Sequence, residues 1–519
     1  MNAKVEISKR LVFINSASSV VARVLNISVL VWLQQYLLRR ISVEEYSLYP
    51  VLMAIMVFAP LLTIVLTSGL GRYVVEAYAK QDERRITQIV STMFPLLLGA
   101  GAALLAVGWV FSWYVDRILT IAPEWAMHAR IMMGLMVFSA AVRLPLAPFG
   151  VGLYVRQKFV LSNLIAVCTE FLRVGLLLLL LVGVSTRVLW VVVASVSSEV
   201  SGLLVLVVIS RRFVPALRFC RTETRWSAAR EMTSFGIWNS VLHLAYTLGR
   251  GVDPIILNKL GTALDVTCLY LGSLAYFQIQ QFSHLVRVPL QPPLTAMHAM
   301  GAKERLRNTY VRGGRYALWA TLLISLPLIV YRGELVALYV GEGYLTAATV
   351  MGLLLLLFPI AYGSVMTPMV AHATAQVRPL AIRRILMQLV RLLVAVYLVG
   401  VVGMGAVGVA LSTLVVVGIS QPLLLWPLGL RLAGVQLHLW IRETVRPGLV
   451  PGLAATAVWM GLKLLVGPES WLSLGGCAAC GCLFYVAILM AFCLRPCDRE
   501  DLARITAKIK SRVPIGRVA

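Results

Sequence analysis

The amino-acid sequence predicts an all-α polytopic membrane protein of 14 transmembrane helices, and three observations carry this. Of 519 residues, 60% are hydrophobic and only 13% charged, against about half and about a quarter in an ordinary globular chain. The apolar residues fall in runs close to the roughly 20 that a helix needs to cross a hydrocarbon core. The charges between the runs are unevenly placed, with Lys+Arg 47 against Asp+Glu 22 and a net charge of +25. In a soluble protein such a balance would fit nucleic acid. No aromatic and basic recognition motif or separate basic domain accompanies it here, so nucleic acid is not an expected partner.

The expected spans centre near Arg23, Phe58, Ala102, Ala140, Phe171, Val196, His243, Phe277, Leu323, Phe358, Val394, Val416, Ala457 and Phe484. The first follows Lys4, Lys9 and Arg10 as a signal peptide would. It contains Asn15, Arg23 and Asn26 and lacks a small-residue cleavage site, so it reads as a retained span. Odd-numbered connections hold seven basic residues: Arg39, Arg40, Arg117, Arg130, Arg187, Lys259 and Arg332. Seven more lie inside spans (Arg23, Arg143, Arg173, Arg250, Arg287, Arg391 and Lys463), and the remaining 33 of the 47 lie on the even side and at the N-terminus. By the positive-inside rule both termini are then cytoplasmic.

Segments recur at an offset of about 216 to 221 residues, a sign of internal repetition. RRISVEEYSLY (39–49) lies over NKLGTALDVTCLY (258–270), KQDER (80–84) over GAKER (301–305), and FLRVGLLLLLLVGV (171–184) over LVRLLVAVYLVGVV (389–402). Spans 1 to 6 and 7 to 12 thus read as two copies of one six-helix unit. An even span number leaves the copies parallel, related by an axis along the membrane normal. The expected domains are an N-lobe at 1–210, a basic linker at 211–233, a C-lobe at 234–430, two added spans at 431–496 and a basic cytoplasmic tail at 497–519. In that tail Leu502, Ile505 and Ile509 share one helical face, which suits an amphipathic helix on an anionic leaflet or, failing that, a frayed basic end. Cys477, Cys480 and Cys482 lie in GGCAACGC, inside an apolar span with no His or second Cys pair nearby. Close helix packing by small residues explains this better than a metal site, and no disulfide framework or metal is expected.

A charge near the bilayer centre costs roughly 2.5 to 3.5 kcal/mol on insertion scales, so each one kept needs a partner, water or a route to the interface. Arg23 sits in a polar stripe with Asn15, Ser16, Ser18, Ser19 and Asn26, which should face a wet interior. Span 7 carries Asn239, Ser240, His243, Tyr246, Arg250 and Asp253, with Arg250 and Asp253 at i and i+3, so that Asp253 either neutralises Arg250 or leaves it to a ligand. Span 4 has Arg143 before Pro145 and Pro148, and span 8 has His284 and Arg287 before Pro289, Pro292 and Pro293. Broken helices of this kind line cavities. Span 5 pairs Glu170 with Arg173, and the repeat sets Arg391 opposite Arg173 with no acid nearby, either as a cavity cation or as an interhelical donor to carbonyls. Glu199 in span 6 is the other deep acid.

Cations at depth outnumber acids, so the interior should bind an anion, and arginine's fork suits phosphate. The substrate-binding candidates are Arg23, Arg143, Arg250, Arg287, Asn15, Asn239 and His284. Glu170, Glu199 and Asp253 are candidates for ion coupling, and Arg173 and Arg391 for interhelical or cavity roles. No HExxH, GxSxG, Walker-type loop or metal-ligand set is present, so an enzyme is not expected and neither is a cofactor beyond a coupled H+ or Na+.

The Asn15-Ser16 and Arg23 span, ISVEEYSLYPVLMAI (41–55) and TSGLGRYVVEAYAKQDERR (67–85) resemble the start of polysaccharide-type lipid-linked oligosaccharide flippases. Asp253-Pro254-Ile255-Ile256-Leu257 and PLTAMHAMGAKERLR (293–307) resemble their second half. That superfamily also holds multidrug and toxin exporters and lipid II flippases. The resemblance implies a V-shaped pair of six-helix lobes that alternate access to a central cavity, in a bacterial inner membrane. The cargo implied is a polyprenyl-pyrophosphate-linked glycan for O-antigen, capsule or exopolysaccharide, with glycosyltransferases or a polymerase of the same pathway and membrane lipids as partners. Lipid II as cargo and a membrane-embedded polymerase or ligase are the alternatives. The multidrug branch usually couples through an acid in span 1, which this sequence lacks.

Overall fold

A computed structural model describes residues 28, 31–67, 70–156, 158–224, 237–287, 290–496 and 498–500. Among the described residues every regular element is a helix. Nine helices are long and apolar enough to cross a membrane: Glu83–Trp113, Pro123–Val155, Val160–Gly183, Val188–Phe213, Lys303–Val330, Glu342–Ala373, Gly405–Ala433, Leu437–Val466 and Trp471–Cys493. They match expected spans 3 to 6, 9, 10 and 12 to 14. The helices Ile237–Leu260, Ala263–Arg287 and Val377–Gly400 match expected spans 7, 8 and 11. These are the ones that carry Arg250, Asp253, His284, Arg287 and Arg391, and their polarity sets them apart from the other nine. Expected span 2 is divided into Val43–Met56 and Ala59–Thr67. Most of the first span, with Asn15 and Arg23, lies outside the described residues.

The chain forms two compact units, Met1–Thr267 with Val396–Gly405 and Cys268–Ala395 with Ala406–Ala519. In the first, Glu83–Trp113 packs along Ala126–Leu146, which packs in turn on Val188–Phe213, and that helix lies against Phe159–Gly183. Small residues set the first approach: a Cβ on Gly108 would fall 2.5 Å from Val137, and one on Gly101 2.8 Å from the Ala141 carbonyl. Burying Ile86, Ile89, Val90, Met93 and Leu97 fixes the lower half of this bundle against Leu144, Phe149 and Leu217. The helix Ile237–Leu260 belongs to this unit and lies on Val43–Met56.

The described part of the basic linker is docked. Thr87 donates to the Ala216 carbonyl at 3.0 Å, the Cys220 N–H donates to Ser91 at 2.8 Å, and Glu223 accepts from Arg84 and Gln88. Of the predicted tail helix only its first residues, 498–500, are described, and they are helical.

In the second unit Lys303–Val330 is the central helix, packed on Arg446–Val466, which also contacts Trp471–Ile488. In the GGCAACGC stretch close packing is confined to its C-terminal end: a Cβ on Gly481 would lie 2.1 Å from the Trp459 indole nitrogen, which donates to the Ala478 carbonyl, whereas one on Gly475 or Gly476 would meet nothing within 4 Å. Expected span 10 is broken, running as Leu345–Leu355, Leu357–Ala361, a 3-10 turn at Tyr362–Ser364, and Thr367–Ala373. Carbonyls freed by such a break need protein donors in an apolar setting. Trp440 supplies one to Gly363, Arg287 one to Val365 and Gln291 one to Met369.

Candidate functional site

In the first unit the charges read from the sequence converge near the middles of their helices. Arg173 donates to Glu170 one turn away, an ion pair in which the side chains are 17% and 18% exposed. Glu199, from the next helix, accepts from Ser139 at 3.0 Å. Tyr49 of Val43–Met56 lies within electrostatic reach of both Arg173 and Glu199. Four elements distant in sequence therefore place a tyrosine, a serine, two carboxylates and a guanidinium in one polar zone. Arg143 lies one turn beyond Ser139 on the same helix, is exposed, and has no ion-pair partner among the described residues. The two acids differ in kind: Glu170 is held by a cation, Glu199 by a hydroxyl.

Asp253 is 8% exposed and Arg250 half-buried, and each holds a polar contact. Asn239 lies in the first turn of Ile237–Leu260. That helix sits close to Val43–Met56 because residue 251 is glycine: a Cβ there would be 2.5 Å from the Phe58 ring and 2.7 Å from the Ala54 carbonyl.

In the second unit Arg287 gives Nε–H to the Ser283 carbonyl and Nη1–H to Val365, both at 3.0 Å. It thus braces the break in the neighbouring helix as well as carrying charge. His284, one turn earlier, is exposed. Arg391 is 1% exposed and donates to Gln388 at 2.8 Å and to Thr413 of the next helix at 3.3 Å. The bond to Thr413 crosses to a neighbouring helix, so Arg391 acts as an interhelical donor. Among the described residues no group of three or more His, Cys, Asp or Glu side chains is placed to hold a metal ion.

Sequence reading missed Tyr49 and Ser139, whose types carry no charge signal. Arg315, one of the 33 cations assigned by sequence to the even side, is instead buried within Lys303–Val330, in an ion pair with Asp498.

Long apolar helices in two units, with charged side chains near the middles of several, define a multi-pass membrane protein of all-helical fold. Solved structures agree on the fold. The lipid II flippase MurJ, in its inward closed conformation, superposes with a TM-score of 0.68 at 13% identity over 92% of this chain and 98% of that one. An inward-facing multidrug resistance MATE family transporter of the MOP superfamily gives 0.61 at 13% identity over 80% and 95%. A MOP superfamily transporter from Pyrococcus furiosus, described as having a binding pocket of reversed polarity, gives 0.59 at 13% identity over 81% and 96%. A search of curated proteins finds no significant match. The chain belongs to the polysaccharide biosynthesis protein family, whose model matches residues 9–280.

Proposed function

We propose that this protein moves a polyprenyl-pyrophosphate-linked oligosaccharide across the bacterial inner membrane by alternating access, for surface polysaccharide synthesis. The observation that carries the reading is Arg143: an exposed guanidinium, in a transmembrane helix of a polysaccharide-biosynthesis family member, with no acid paired to it among the described residues. An arginine fork left open at such a place suits a pyrophosphate, whose oxygens it can bind two at a time. Arg23, Arg250, Arg287, Asn15, Asn239 and His284 complete the anion-binding set, and the polyprenyl chain stays in lipid. Glu199 is the leading coupling residue for H+ or Na+, with Glu170 and Asp253 secondary, because its carboxylate is not already spent on a cation. Cytoplasmic termini are supported by the first unit itself, where Arg84, Arg211, Arg212, Arg218 and Arg221 gather at the end bearing the linker. Glycosyltransferases and a polymerase of the same pathway are the expected partners.

The test uses labelled lipid-linked oligosaccharide in vesicles containing the full-length protein. Wild type should expose the label on the far leaflet with its chemistry intact, and Arg143→Ala should slow this at least about tenfold. Lengthened glycan would mean a polymerase, movement of lipid II alone would make that the cargo, and unimpaired movement in the variant would remove Arg143 from the site.

A further inference from the structure

Residues 31–38 end a helix that runs into Arg39 and Arg40. Trp32, Gln35, Tyr36, Arg39 and Arg40 line a cavity of about 240 Å³. Its walls are ordered by their own contacts. The Arg40 guanidinium stands 4.4 Å from the centre of the Tyr36 ring and donates to the Tyr36 hydroxyl at 2.8 Å, while the Trp32 ring lies 5.2 Å from that of Tyr36. Arg39 is exposed and makes no hydrogen bond or ion pair among the described residues.

Two other cations in odd-numbered connections of the first unit, Arg130 and Arg187, are compensated, whereas Arg117 and Lys259 have no ion pair among the described residues. Arg130 makes two bonds to Asp116, at 3.0 and 2.8 Å, and its hydrogen bonding holds the Asp116 carboxyl below its ordinary value. Arg187 pairs with Glu45 at 3.8 Å. Arg39 and Arg40 are adjacent, form no ion pair among the described residues, and lie in an odd-numbered connection, on the side that the charge distribution leaves poor in cations. An aromatic belt at the membrane interface accounts for Trp32 and Tyr36, but not for two uncompensated guanidiniums beside them. Flat aromatic faces next to arginine forks match one ligand chemistry well: a sugar ring carrying a phosphate or carboxylate.

We propose that this shelf binds the anionic head of a glycolipid, with the oxyanion on Arg39, Arg40 and Gln35 and the adjoining sugar ring laid on Trp32. The inference rests on the reading of the chain as a lipid-linked glycan translocase, and it names a second contact for that cargo, apart from Arg143. An anionic phospholipid head offers the same oxyanion, so the test separates the two sources.

Full-length protein in detergent is titrated separately with farnesyl pyrophosphate, digalacturonate and phosphatidylglycerol, while hydrogen exchange is followed over residues 31–42. The first two probes should slow exchange there. The double variant Arg39→Ala, Arg40→Ala should weaken that effect at least about tenfold, and Trp32→Ala should weaken it for digalacturonate while sparing farnesyl pyrophosphate. These side chains are exposed, so the variants should melt as wild type does. Equal protection of residues 31–42 in the double variant overturns the site, and a response to phosphatidylglycerol alone makes it a bilayer anchor and overturns the glycolipid assignment. Wild-type transport in vesicles tests the broader function independently of either result.

Discussion

Arg315 and Asp498, 183 residues apart, meet in an ion pair whose two side chains are each 1% exposed. Tyr316 donates to the same carboxylate oxygen at 2.6 Å, Arg495 N–H donates to the other at 3.0 Å, and Arg315 also reaches the Glu443 carbonyl. The segment after the last helix is thereby fastened to the central helix of the second unit. Removing one partner leaves the other charged and buried, which costs about 3 to 5 kcal/mol, whereas an apolar pair of similar volume is close to neutral. Arg315→Ala should lower the melting temperature in detergent sharply, and Arg315→Met with Asp498→Leu should restore most of it. A double variant no more stable than the single one would count against the pair.

The same pair predicts a pH response. Burial pushes the Asp498 carboxyl up, and hydrogen bonds from Tyr316 and Arg315 outweigh this, holding it below its ordinary value of 3.8. A group whose folded value is depressed stabilises fully above the unfolded value and loses that contribution as pH falls through the folded one. Wild-type melting temperature should therefore fall more steeply than that of Asp498→Asn as pH drops below about 4. Parallel acid slopes would show that the carboxylate is not held in this way.

Glu45 is 5% exposed and accepts the Val188 N–H at 2.9 Å, at the start of the helix Val188–Phe213. It acts as a cap from another helix, set where the helix dipole favours a negative charge. Glu45→Leu should cost about 0.5 to 2 kcal/mol and speed hydrogen exchange at Val188, while Glu45→Gln, which keeps an acceptor, should cost less. Unchanged exchange at Val188 in the leucine variant would sink the capping role.

Two glycines should respond in opposite directions. Gly251→Ala places a methyl 2.5 Å from the Phe58 ring and should destabilise by about 1 to 3 kcal/mol. Gly175 has nothing within 4 Å of a built Cβ, so Gly175→Ala should be neutral or gain up to about 1 kcal/mol from helix propensity. Melting of the two variants beside wild type decides this.

The two deep acids of the first unit should separate stability from transport. Glu170→Gln strands Arg173 and should cost about 1 to 3 kcal/mol. Glu199→Gln keeps the contact with Ser139 and should leave stability unchanged while abolishing the response of transport to an imposed H+ or Na+ gradient. A wild-type gradient response in Glu199→Gln would end its coupling role.

The helical membrane fold, most of the spans, the helices that carry charge at depth and the Glu170–Arg173 pair are all legible in the amino-acid order. All of these are local: an apolar run of membrane length declares a span, a retained charge declares an exception, and residues three apart on a helix face one another whatever surrounds them. Tertiary structure decided what each charge does. That Glu199 meets Ser139, 60 residues away, that Arg287 braces a broken helix at Val365, 78 away, and that Arg315 finds Asp498 depends on how each helix is rotated and staggered against its neighbours. Side-chain packing across the bundle sets those two quantities, and no periodicity along one helix records them.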